Sequence, residues 1–154
     1  MREGGGIGAI EEYLPRLAEV FEEYKVILAY LYGSQVTGNV RPLSDVDIAI
    51  LFSEEVPERE RFGRLCHLGA MLMGVFHRND VNVVDLEEAP PLLKNNVRVG
   101  GRVIYCADED RRIDFEVETL REFEDTKPLR QVRYSYLLER IDNGTFGLPL
   151  PAER

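Results

Sequence analysis

The chain reads as α/β, in the α+β sense: a small mixed sheet flanked by helices, with further helices closing its C-terminal end. Three observations predict this. Apolar runs at 26–32, 45–52, 80–86 and 102–106 have strand length. Apolar residues recur at helical spacing in 10–24, before those runs, and in 61–76, between two of them. From 108 onward only helix signals remain, with Asp108 and Pro128 as starts and Gly144 as a stop.

Taken in order, 10–24 alternates Ile10, Leu14, Leu17, Val20, Phe21 and Tyr24 with glutamates, the pattern of an amphipathic first helix. Residues 26–32, Val-Ile-Leu-Ala-Tyr-Leu-Tyr, are too short and too uniformly apolar for a surface helix, so they predict a buried strand ending at Gly33-Ser34. Gly38, Asn39 and Pro42 make 35–44 a short helical turn plus loop. The second strand, 45–52, places Asp45 and Asp47 on one face, because side chains alternate across a strand. After a charged connection, 61–76 predicts a largely covered helix, and 80–86 a third strand. Pro90-Pro91 suits the first turn of a helix running to about Arg98, Gly100-Gly101 ends it, and 102–106 is a fourth strand.

At 154 residues and 44% hydrophobic, the chain suits one globular domain with no separate substrate domain. The expected organisation is a flexible start at 1–9, a core at 10–107 and a helical extension of the same domain at 108–154. With 28 acidic against 19 basic residues the net charge is −9, which disfavours direct nucleic-acid binding. A basic protein surface, or a small ligand that brings its own cation, is the easier partner. Cys66 and Cys106 match neither zinc spacing nor a disulfide framework and are expected as buried, reduced thiols. Nothing approaches membrane-spanning length, so a soluble, cytoplasmic protein is expected.

The chemistry concentrates in Leu31-Tyr32-Gly33-Ser34, ten intervening residues, then Asp45-Val46-Asp47 opening an apolar strand. A strand ending in Gly-Ser offers backbone N–H groups and a hydroxyl, with no Cβ at Gly33 to keep a phosphate away. Two same-face carboxylates supply hard oxygen ligands for magnesium, which takes few carboxylates plus substrate phosphate oxygens. Either piece alone is commonplace; a cradle and a metal clamp at this spacing are not. Softer candidates are Arg41 in the spacer, and Lys94 and Arg98 after the third strand, as phosphate or base contacts. His67 and His77 read as surface or cap residues, and Tyr30 and Tyr32 as packing.

On these motifs the chain resembles the minimal nucleotidyltransferases of the polymerase-beta-like superfamily, MntA-type antitoxins in particular. The likeness continues through Val83-Val84-Asp85-Leu86-Glu87-Glu88-Ala89-Pro90-Pro91, Gly101-Arg102-Val103-Ile104-Tyr105 and the close at Gly144-Thr145-Phe146-Gly147. It implies the polymerase-beta-like fold with C-terminal helices, Gly33 and Ser34 around the triphosphate, and Asp45 and Asp47 as magnesium ligands. It also implies ATP as substrate, a HEPN-domain (HepT-like) toxin as partner, and AMP transfer to a toxin tyrosine.

One position departs from the pattern. Where the family carries a third carboxylate on the third strand stands Asn82, which offers a carbonyl oxygen but no charge and no base. Asp80 shares its face about 6.6 Å away along the strand and would substitute only through a register shift. Asp85 should face the other side, in a capping or surface role. Three readings stay open: a protein adenylyltransferase, an antitoxin that acts by covering its partner, and a small-molecule nucleotidyltransferase.

Overall fold

The structure, a computed structural model, describes residues 10–33 and 45–149. A 3-10 turn, Ile10–Glu12, leads into α1 (Leu14–Glu23), then β1 (Val26–Tyr32), β2 (Val46–Phe52), α2 (Glu58–Phe76) and β3 (Val81–Asp85). There follow α3 (Pro91–Gly100), β4 (Arg102–Cys106), α4 (Glu109–Asp125) and α5 (Lys127–Asp142). The expected start at 1–9 and the turn at 35–44 lie outside the described residues.

The four strands form one mixed sheet in the order β3-β2-β1-β4. β1 pairs antiparallel with both β2 and β4, whereas β2 and β3 run parallel. Parallel neighbours need a crossover longer than a hairpin, and the 19-residue α2 supplies it. The sequence pattern places each face. Even-numbered β2 residues Val46, Ile48, Ile50 and Phe52 join Leu17, Val20, Phe21, Leu68, Leu72 and Phe76 in the core beneath α1 and α2. Odd-numbered Ala49 and Leu51 join Leu28, Tyr30, Leu86, Val97 and Phe115 beneath α3 and α4. Each fully buried side chain of this kind contributes about 1.5–3 kcal/mol, enough to fix the face on which Asp45 and Asp47 stand.

Helix ends follow local chemistry. α1 begins beside Pro15, and Asp108 caps α4 by accepting the Arg111 N–H at 3.0 Å. α2 ends where His77 turns left-handed, φ 53°, and the N–H groups of both His77 and Arg78 return to the Met73 carbonyl.

Two expectations fail. Cys66 is exposed and Cys106 half-buried, so neither thiol lies in the core. α2 is not largely covered either: it buries only Leu68, Leu72 and Phe76, and leaves Phe62 78% exposed. Apolar content alone overstated its burial, because one face of a sheet can cover only one stripe of a helix. Among the described residues no helix is long and apolar enough to cross a membrane.

Candidate functional site

The odd face of β2 runs Asp45, Asp47, Ala49, Leu51. Ala49 and Leu51 are buried, Asp47 is half-buried and Asp45 is exposed, so the acids emerge where the core gives out. Strand pairing sets their neighbours. Tyr32 on β1 stands opposite Asp47, and Asn82 on β3 stands opposite it on the other side, making a row across three strands. Asn82 Nδ2 donates to Asp45 Oδ2 at 3.1 Å and to Asp47 Oδ1 at 3.2 Å. The amide thus holds the two carboxylates together and places the positive end of its dipole between them.

Gly33 closes the row. Its φ of +76° lies in the left-handed region, and a Cβ built there would stand 2.7 Å from Asp47 Oδ2. Only glycine meets both demands without strain or collision. The residue chosen from sequence as a phosphate cradle therefore packs its bare Cα against the metal-ligand candidate.

Arg78, which sequence reasoning passed over, borders the site. Its Nε donates to Asp80 Oδ1 at 2.6 Å and its Nη2 to Asp80 Oδ2, a two-pronged pair. These hydrogen bonds hold the Asp80 carboxyl below the ordinary carboxylate range. They also raise the Arg78 guanidinium, with further contributions from the charges of Asp80 and Asp45. The Asp80 carbonyl accepts the Val46 N–H at 2.9 Å, tying the start of β2 to the start of β3. A lone arginine two residues before an aspartate carries no motif; only the left-handed end of α2 brings the two together. Tyr32 is pushed up, first by burial and then by the Asp47 charge.

Of the residues expected to act, Asp45, Asp47, Asn82 and Gly33 come together, while Ser34 and Arg41 lie outside the described residues. Lys94 is paired with Glu122 at 3.2 Å, tying α3 to α4, and Arg98 donates to Asn95 Oδ1 at 2.9 Å within α3. Asp85 does face away from Asn82, and its Oδ1 accepts the Glu87 N–H at 3.0 Å as a turn cap. It is not a surface residue, however: it is 5% exposed, and burial raises its pKa.

The two carboxylates suit magnesium as hard oxygen ligands; Asn82 turns its Nδ2 to them, and Gly33 packs so close that a Cβ there would strike Asp47 Oδ2. Among the described residues no group of three or more His, Cys, Asp or Glu side chains is gathered as a metal site, so no competing centre of that kind exists there.

Known proteins resemble the chain in sequence and in fold. The protein adenylyltransferase MntA of Shewanella oneidensis is 29% identical over 107 residues, 70% of this chain and 73% of that protein. A crystal structure of a toxin-antitoxin with AMP-PNP contains a chain with TM-score 0.67 and 24% identity, covering 81% of this chain and 98% of its own. The structure of a tri-AMPylated Shewanella oneidensis HEPN toxin in complex with MNT antitoxin gives TM-score 0.64 and 22% identity, over 83% and 98%. The family described as polymerase beta, nucleotidyltransferase matches residues 16–110, well over half of the chain and the whole row from Gly33 to Asn82; the chain belongs to that family.

Proposed function

We propose that this nucleotidyltransferase is a magnesium-dependent protein adenylyltransferase that moves AMP from ATP to a tyrosine of a HEPN-domain toxin, as the antitoxin of that pair. The observation that carries the proposal is the row Gly33, Asp47, Asn82 with Asp45 beside it. The adenylyltransferase similarity supplies the nucleotide and the acceptor class. Residues 10–107 act as the nucleotidyltransferase core and 108–154 as its helical extension, in a cytoplasmic protein.

In this reading Asp45 and Asp47 hold the magnesium, and Ser34 and Arg41 join Gly33 around the nucleotide. Bound there, the metal neutralises charge on the triphosphate and aligns it. The bond that forms joins the tyrosine oxygen to the α-phosphorus; the bond that breaks releases pyrophosphate. The acceptor proton has Asp45 and Asp47 as candidate bases on this wall, since Asn82 takes none. Gly33 lets the phosphate chain approach backbone N–H groups without disturbing Asp47. Gly33→Ala should therefore lower transfer by about a hundred-fold, the scale of losing one set of preorganised donors. Initial rates of labelled AMP incorporation check this; a variant within a few-fold of the parent rejects the cradle.

A second reading is favoured by one observation, the neutral Asn82 bridging both acids. It makes the chain a covering antitoxin with slow chemistry. Incubation of the toxin with labelled ATP, magnesium and this protein, followed by intact-mass measurement, separates the two. Added mass in steps of AMP supports transfer; toxin silenced without added mass supports covering; an unmodified, active toxin rejects both.

A further inference from the structure

The helix α5 buries none of its sixteen residues. Tyr134, Leu138 and Ile141, which share one face, stand 63%, 47% and 53% exposed, and Gln131, Ser135, Glu139 and Asp142 form a polar stripe beside them. A contiguous exposed apolar face of this kind marks a surface that a partner covers. A groove of about 840 Å³ runs beside it, walled by Pro90, Leu92, Leu129, Tyr134 and Leu137. The helix is also out of character with the chain, holding four basic residues against two acids in a protein of net charge −9.

Its complement lies next to it in sequence. α4 carries eight acids against three arginines. Opposite its buried Phe115 and Thr119 it presents Ile113, Val117 and Leu120, all exposed and spaced as one stripe. Asp114 and Glu124 flank that stripe. Yet α5 does not fold back on it. α4 ends at Asp125, α5 begins at Lys127, and the joint is Thr126 alone, in helical geometry at φ −90° and ψ −2°. The Thr126 hydroxyl locks it by donating to the Glu122 carbonyl at 2.8 Å. Reversing direction between two helices takes roughly 2–5 residues, so one residue cannot bring α5 antiparallel to its own α4.

We propose that a second copy of this chain covers this face: α5 of one copy lies along the Ile113, Val117, Leu120 stripe of α4 in the other, and the reciprocal contact forms by two-fold symmetry. Charge selects this occupant, because a basic apolar helix and an acidic apolar stripe share one chain and cannot meet within it. The arrangement is isologous and closes as a dimer.

The test uses the full chain alone, by sedimentation equilibrium across about 1–100 µM. The expected result is a dimer that Leu138→Asp and Ile141→Asp each convert to a monomer of unchanged circular dichroism, as both positions are exposed. A charge-exchange pair sharpens it. One chain carries Lys127→Glu and Arg133→Glu; the other carries Asp114→Lys and Glu124→Lys. Each alone should be monomeric, and their mixture should dimerise, because both reciprocal contacts regain opposite charges. A parent chain that stays monomeric at 100 µM overturns the proposal. So does a dimer that the α5 variants leave intact. So does a monomeric parent whose Leu138→Asp variant loses capture of the toxin, which would assign the face to that protein.

Discussion

Asp47→Ala is expected to lower AMP transfer by about a thousand-fold while leaving the melting midpoint, measured without magnesium, within a few degrees of the parent. The size follows from the metal's share of charge stabilisation, several kcal/mol, at a factor of ten for each 1.36 kcal/mol. The position follows from the row: Asp47 is the register partner of both Tyr32 and Asn82, and its Oδ2 is the atom against which Gly33 packs. Stability should hardly move. Asp47 is only half-buried, Asn82 keeps its bond to Asp45, and removing one of two neighbouring carboxylates relieves repulsion. Asp85→Asn is the matched control, an acid on the neighbouring strand whose side chain caps a turn on the opposite face. It should leave the transfer rate within a few-fold of the parent. Labelled AMP incorporation and thermal melting of both variants decide the matter, and wild-type transfer by the Asp47 variant would place the active site elsewhere.

Why some of this was legible in sequence and some was not is a matter of range. β1 and β4 were readable to the residue because a run such as Val-Ile-Leu-Ala-Tyr-Leu-Tyr has one stable use, a buried strand. The Asp108 cap and the Asp45/Asp47 pairing were readable for the same reason: they depend on a neighbour or on a period of two. The C-terminal helices followed from Pro and Gly punctuation. What escaped depends on partners far along the chain. No local pattern tells that Asn82 faces Asp47, since this needs the parallel register that α2 delivers. Arg78 looks like any surface arginine until His77 turns left-handed and aims it at Asp80. Cys66 looked like core because thiols usually are, but it lies off the one stripe that the sheet can cover. Asp85 was placed on the correct side of its strand, yet its burial comes from segments packed around it.

Asn82→Asp is expected to raise transfer by roughly a hundred-fold at saturating magnesium, the lower range of a positioned acid–base group. The register favours this residue over its rival. Slipping β3 by two residues to bring Asp80 opposite Asp47 would break the bond from Val46 N–H to the Asp80 carbonyl and the pair between Arg78 and Asp80. It would also misplace Val81 and Val83, which pack against the core under α1 and α2. Asp80→Asn should therefore leave the rate within a few-fold of the parent. The substitution at 82 has a second signature that a merely structural change would not show. Without metal, a third carboxylate replaces a donor that now bridges Asp45 and Asp47, so the melting midpoint should fall through like-charge repulsion. Magnesium should restore it, because a ligand that binds only the folded state stabilises that state in proportion to its affinity. The half-saturating magnesium concentration should fall in parallel with the gain in rate. A crippled Asp80→Asn beside an inert Asn82→Asp would transfer the third-ligand role to Asp80 and overturn the register argument. If neither variant altered a negligible rate while the toxin remained silenced, the neutral amide would mark a protein that acts by covering its partner.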